Sequence, residues 1–331
     1  MASLAMTSFG SFYGGAMLVS SLIFIVSLLI LLVSARFLTG AAEKLGFHFS
    51  LSSFVIGVFI VGIGTSLPEL VTGVLAGLAG NSEIVSGNVL GANISNIFLI
   101  LGLIAVLSRR GLELGGGYIM VDLNFLIGSS LLLGLIMMDG KIAFSEGIFL
   151  LATYAIYSSF LLRSGRQPLL EMDGTNPPIK TVFPFKALLI LLASCFGIYF
   201  GADHTVESII EIAQHLVVPP SLISLTVLSL GTTLPELAVS ITAIRQEKPA
   251  IAVGNILGSC VFNALVIPGV VSGFGAVQVP EYLIGFSLPV FVVASVLFYL
   301  LTQDKKISRS EGLLFLVFYA FFISKAVAAF I

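Results

Sequence analysis

Ten stretches of this chain are apolar for about 20 residues or more at a time, and nothing else in the sequence limits its possible folds so strongly. A helix rises 1.5 Å per residue, so 20 residues cover roughly 30 Å, the hydrocarbon thickness of a bilayer. The expected spans are 15–38, 50–79, 83–107, 118–138, 142–162, 184–203, 218–244, 248–272, 279–302 and 309–330. Only 10% of the residues are charged, against roughly 25% in soluble domains, so no soluble fold hides this much apolar surface. The expected class is an all-α membrane protein of ten transmembrane helices, with the lipid bilayer as its surroundings. The first stretch has no basic region before it and outlasts a signal-peptide core, so it reads as a true span. Basic residues are scattered, which argues against nucleic acid as a partner. Cys195 and Cys260 lie inside apolar runs without metal or redox spacing and read as packing residues.

Charge sets the orientation. With the N-terminus outside, the inner connections hold Arg36, Lys44, Arg109, Arg110, Arg163, Arg166, Lys180, Lys186, Arg245, Lys248, Lys305, Lys306 and Arg309, which is 13 of the 15 basic residues. Positive charge stays on the cytoplasmic side, so both termini are expected to be extracytoplasmic. The one long connection, Arg163–Lys180, carries Pro168, Gly174, Pro177 and Pro178 and divides five spans from five.

The two halves repeat. Gly64-Thr65-Ser66-Leu67-Pro68-Glu69 recurs as Gly231-Thr232-Thr233-Leu234-Pro235-Glu236, and Gly87-Asn88-Val89-Leu90-Gly91 as Gly254-Asn255-Ile256-Leu257-Gly258. Asn96 recurs as Asn263, always 167 residues on, and 15 of the 39 positions from Gly64 to Gly102 are identical to their partners. Chance does not give that in a gapless alignment. Five spans is an odd number, so the second half enters the membrane from the opposite side: an inverted-topology repeat. The expected division is 1–163, a cytoplasmic linker 164–183, and 184–331, with repeat motifs at 62–102 and 229–269.

Within the motif, proline removes a backbone donor and leaves the carbonyl four residues earlier, at Gly64 or Gly231, in need of a partner. Thr65 and Glu69, and Thr232 and Glu236, are four apart and share a helix face. Carbonyl, hydroxyl and carboxylate oxygens are thereby offered side by side. Glu69 lies roughly 18 Å before the turn near Asn81 and Asn96 roughly 22 Å after it, so they meet at similar depth; Glu236 and Asn263 do the same. A charge at mid-bilayer costs on the order of 2.5–3.5 kcal/mol, and two carboxylates together repel. A bound cation offsets both. An all-oxygen ligand set suits hard cations such as Ca²⁺ and Na⁺. Asn88 and Asn255 continue the stripe and read equally well as helix–helix hydrogen bonders.

These paired motifs resemble the calcium/cation antiporter superfamily, in its sodium/calcium exchanger branch. The resemblance implies that Glu69 and Glu236 bind Ca²⁺ with Thr65 and Thr232. It implies that Na⁺ uses an overlapping set, adding Ser66, Thr233, the backbone carbonyls of Gly62 and Ser229, and Ser259, Asn96 and Asn263. It further implies alternating access, with the first and sixth spans sliding across the rest, and export of Ca²⁺ in exchange for Na⁺. The sequence departs from the family pattern twice. Ala92 stands where the first repeat usually has serine, and Asn263 where aspartate is common. Two formal negatives neutralise one Ca²⁺ or two Na⁺, so H⁺ or K⁺ as counter-ion, or Mn²⁺ or Mg²⁺ as substrate, stays open. A passive cation channel fits the inverted repeat less well.

No Ser/His/Asp or metalloprotease arrangement occurs, so neither an enzyme nor a cofactor is expected. His204, Glu207, Glu211 and His215 have helical spacing at the outer end of the sixth span and read as a solvated face. Asp122 and Asp139, near the ends of the fourth span, read as solvated too. The expected location is the plasma or inner cell membrane, with a monomer sufficient for transport.

Overall fold

The computed structural model describes residues 2–108, 111–113, 118–164, 183–215, 231 and 233–328. The expected linker falls almost wholly outside them, as do Ser229, Thr232 and most of the seventh span. Ten helices run through the described residues. They are α1 (Ala2–His48), α2 (Ser53–Leu78), α3 (Glu83–Leu107), α4 (Tyr118–Met137) and α5 (Phe144–Ser164). The second half holds α6 (Phe185–His215), α7 (Leu234–Arg245), α8 (Pro249–Val271), α9 (Leu283–Leu301) and α10 (Arg309–Ala328). Among the described residues, seven of these helices are long and apolar enough to cross a bilayer.

Two helices outrun their expected spans. The expected first span ended at Leu38 and the sixth at Asp203, where charge begins, but α1 continues to His48 and α6 to His215. Polar residues end a hydrocarbon crossing without ending a helix, because Lys and Glu are good helix formers. The seventh span was expected to be one helix with a kink at Pro235. Instead α7 begins at the motif, with Pro235 in its first turn, where a missing N–H has no intrahelical partner to lose.

Helix α8 is the centre. Its side chains from Ile251 to Gly269 are all buried, and it packs against α2, α3, α4, α5 and α7. Its crossing with α2 is close enough to exclude side chains: a Cβ on Gly57 would lie 2.6 Å from Ile251 O and 2.9 Å from Gly254 Cα. Helix α1 lies along α6. Across that seam Ser20 Oγ donates to Glu211 Oε2 at 2.6 Å and Thr205 Oγ1 to Ser27 Oγ at 3.0 Å.

The fold also holds two short antiparallel strand pairs that an all-α reading does not anticipate. β1 (Leu112–Glu113) pairs with β4 (Lys306–Ile307), and β2 (Lys141–Ile142) with β3 (Val277–Gln278). An offset of 165 residues turns the first pair into the second: Leu112↔Ile307 becomes Val277↔Ile142. Other details recur likewise. Glu146 Oε2 accepts from Ala143 N, and Glu311 Oε2 from Ser308 N, each at 2.7 Å. Gly140 and Lys305 hold the same left-handed turn, with φ of 85° and 60°. Gly102 of α3 meets Gly312 of α10 as Gly269 of α8 meets Gly147 of α5: a Cβ on Gly102 or Gly147 would lie 2.9 Å from the facing glycine carbonyl.

Candidate ion-binding site

The motif segments of α2, α3, α7 and α8 meet inside the bundle. Thr65, Ser66 and Glu69 of α2, Asn96 of α3, Thr233 and Glu236 at the start of α7, and Ser259 and Asn263 of α8 are all at most 3% exposed. Two local departures from regular helix shape the meeting place. Wide π-helical turns occupy Ile56–Gly62 in α2 and Ser95–Leu101 in α3. Such turns disturb the regular ladder and recur at functional sites.

At the end of the first wide turn, Gly62 O gathers hydroxyls. It accepts from Thr65 Oγ1 and Ser259 Oγ, each at 3.2 Å, and those two oxygens lie 3.4 Å apart. Thr65 Oγ1 also lies 3.1 Å from Asn255 Oδ1. The Asn255 amide is itself fixed: its Nδ2 donates to Ser240 Oγ at 3.0 Å and to Glu236 O at 3.4 Å. Both oxygens facing Thr65 from Gly62 and Asn255 can only accept. With the Glu236 carboxylate they compete for the one threonine proton, and the threonine lone pairs are left for another partner. Asn255 is thus a positioning residue, which the open reading of that asparagine did not decide.

The two carboxylates are both buried inside the bundle. The Glu236 carboxylate lies within electrostatic reach of Glu69. Glu236 Oε1 accepts from Ser66 Oγ at 3.2 Å, and the hydroxyls of Thr65 and Ser259 lie against the same carboxylate. Glu236 sits in the first turn of α7, where the helix dipole favours negative charge. No lysine, arginine or histidine pairs with either glutamate among the described residues; the ion pairs are His204–Glu207 and Lys248–Glu43.

Both oxygens of Glu69, Oε2 of Glu236, Oδ1 of Asn263 and both polar atoms of Asn96 are buried without a hydrogen-bond partner in the protein. A buried polar group left unpaired costs about 1–3 kcal/mol, more when charged. Folded proteins keep such groups few. Here five of the six atoms are oxygens, and three of them belong to two acids with no basic partner among the described residues. That donor set fits a hard cation.

Of the expected ligands, the structure therefore brings together Gly62 O, Thr65, Ser66, Glu236 and Ser259 through direct bonds, with Glu69 in reach of Glu236. Asn96 and Asn263 are buried on α3 and α8 with bare polar atoms, and Thr233 is buried at the start of α7. Ser229 and Thr232 lie outside the described residues. Ala92 is buried and offers no oxygen. One residue outside the expected set, Asn93, is fully buried with both amide atoms unpaired. Its position beside Ala92 was the available signal, and the matching position in the second half, Cys260, concealed it.

Two expectations elsewhere meet different outcomes. Asp122 was expected to be solvated but is 1% exposed, with Oδ1 accepting from Tyr157 Oη at 2.7 Å. Helix α5 covers that end of α4. The face of α6 is exposed as expected: His204 and Glu207 pair at 2.9 Å, and with Asp203 their ligand atoms lie within 4.8 Å of one another. Glu211, on the same face, bonds to Ser20 of α1, and the side chain of His215 is outside the described set.

Comparison with known proteins places the chain in a family. The family model described as sodium/calcium exchanger protein matches residues 19–163 and 186–327. The sodium/calcium exchanger MaX1 of Methanosarcina acetivorans is 31% identical, over 92% of this chain and 97% of its own. The inner membrane protein YrbG of Escherichia coli is 29% identical, over 89% and 92%. A solved structure of the sodium-calcium exchanger NCX_Mj superposes with a TM-score of 0.79 at 28% identity, covering 93% of this chain and 99% of the other. The chain is thus a multi-pass, helical membrane protein that belongs to the sodium/calcium exchanger family.

Proposed function

We propose that the chain is a secondary active antiporter that exports Ca²⁺ across the cell membrane in exchange for Na⁺. The observation that carries this reading is the pair of buried glutamates, one from each half, with bare oxygens and no basic partner among the described residues. The proposed ligands are Glu69, Glu236, Thr65, Thr232, Ser66, Thr233, Asn96, Asn263, Ser259 and the carbonyls of Gly62 and Ser229. Ca²⁺ and Na⁺ share these oxygens, so they compete. Competition at one site, reached from one side at a time, couples the two fluxes. An empty site would cross poorly, because two bare carboxylates in hydrocarbon are uncompensated.

The proposed frame is ten spans in two inverted five-helix repeats, 1–163 and 184–331, joined by a cytoplasmic linker, with both termini outside. The interchange of the strand pairs and of the glycine contacts between halves supports this symmetry. So does the agreement with the charge pattern. The moving pair is proposed to be α1 and α6, which touch from Ser20 and Glu211 to Ser34 and Gly197. A monomer holds the whole ligand set.

A second reading keeps the site and changes the counter-ion to H⁺ or K⁺, or the substrate to Mn²⁺ or Mg²⁺. Asn263 favours it, because asparagine at both 96 and 263 leaves only two formal negatives for the ions to neutralise. Ca²⁺ uptake into everted vesicles decides. Uptake driven by an outward Na⁺ gradient supports Na⁺ exchange, whereas uptake driven only by a pH or K⁺ gradient replaces it with the second reading. Flux beyond coupled exchange, with single-channel currents, would mean a channel.

A further inference from the structure

On α2, α3, α7 and α8, every buried side-chain atom without a partner belongs to an expected ligand, except Oδ1 and Nδ2 of Asn93. Asn93 is fully buried, and an unpaired amide there is unfavourable in the same way as the bare asparagine atoms of the site.

Its direction follows from its neighbours on α3. Ser95 Oγ meets Tyr319 Oη at 3.5 Å, Phe98 stacks on Phe318 with ring centroids 5.3 Å apart, and Gly102 meets Gly312. All three face α10. Ser95 is the one of them reached from Asn93 through regular helix, and at roughly 100° per residue Asn93 lies about 160–200° round the helix from it. It points away from α10 and into the bundle, on a face it shares with Asn96, three residues on. The second half supports the placement. Cys260, at the matching position, has its thiol against Asn96 and within electrostatic reach of Glu236.

The two halves then differ in a complementary way. The second has a hydroxyl at Ser259, bonded to Gly62 O, followed by the apolar Cys260. The first has Ala92, with no oxygen, followed by a bare carboxamide. We propose that Asn93 Oδ1 supplies the cation ligand that the first half lacks at Ala92, with Na⁺ or Ca²⁺ as its partner. Its Nδ2 is then free to hold a neighbouring oxygen of the site. The assignment rests on the antiporter reading of this site.

The test compares wild type with Asn93→Leu, Asn93→Ala, and Asn93→Leu combined with Ala92→Ser. Each is purified, checked for a monodisperse peak, and assayed in proteoliposomes for initial Ca²⁺ uptake against Ca²⁺ and Na⁺ concentration. Removing the carboxamide should raise half-saturation for Na⁺ or Ca²⁺ roughly 10–100-fold, the range seen when a metal site loses a supporting group. Adding Ala92→Ser should recover part of that loss. Unchanged half-saturation overturns the assignment, and so does a fall in maximal rate alone, which is what a packing role would give. Should the leucine variant misfold, the alanine variant decides by the same readout. If wild type shows no Na⁺-driven uptake, the antiporter reading fails; equilibrium Ca²⁺ binding and its displacement by Na⁺ in the same proteins then decide Asn93.

Discussion

Glu69 and Glu236 occupy matching positions in sequence but not matching surroundings. Glu236 has Ser66 bonded to it and a helix N-terminus behind it, while both oxygens of Glu69 are bare. In the proposed site each supplies half of the negative charge that a divalent ion needs. Glu69→Gln and Glu236→Gln should each abolish Ca²⁺ uptake by everted vesicles while membrane expression persists; near-normal uptake in either would refute the assignment. Asn255 acts one step further out, through Thr65. Asn255→Ala removes one of the acceptors that hold the threonine hydroxyl, and should raise half-saturation for Ca²⁺ roughly tenfold or more in the same assay. Thr65→Val in the same background should add little, because the two residues act as a unit. Asn263→Asp should shift the Na⁺ or H⁺ dependence of uptake more than its Ca²⁺ dependence, read from rates across Na⁺ and pH series. At this scale the sequence showed the carboxylates and hydroxyls, because repetition singled them out from an apolar background. It did not show Asn93, whose repeat partner is a cysteine. It misplaced Asp122, which lies close in sequence to Arg109 and Arg110 yet is covered by Tyr157.

At the scale of helices, backbone contact at glycines sets how closely the two halves mesh. Gly147→Leu would drive a side chain into Gly269 O and Ser272 of α8. Overpacking of this kind costs roughly 1–3 kcal/mol or more, so the variant should lose its monodisperse peak or melt well below wild type. Lys248 Nζ and Glu43 Oε2 pair at 2.6 Å across α1 and the start of α8, both partly exposed. Lys248→Met should change thermal stability by no more than roughly 1 kcal/mol. Helix existence was legible from apolar length alone. The ends of α1 and α6 were not, because charge marks where hydrocarbon stops rather than where a helix does. Strands of two residues leave no alternation to read, so both pairs escaped notice. The helix start just before Pro235 escaped too, since the matching proline, Pro68, lies inside continuous helix.

In the whole molecule, the proposed antiporter brings acids from two oppositely threaded halves to one ion. The proposed topology is checked by single cysteines in a Cys195→Ser, Cys260→Ser background: one at Arg110 should label from the cytoplasmic side and one at Asp139 from outside. The most direct test of the central claim is anomalous diffraction from crystals soaked with Ca²⁺ or Sr²⁺. The account predicts an anomalous peak bridging Glu69 and Glu236, with carboxylate oxygens from both at about 2.3–2.6 Å in the Ca²⁺ soak. A peak held by only one of them, or confined to Asp203, His204 and Glu207 on the exposed face of α6, would contradict it.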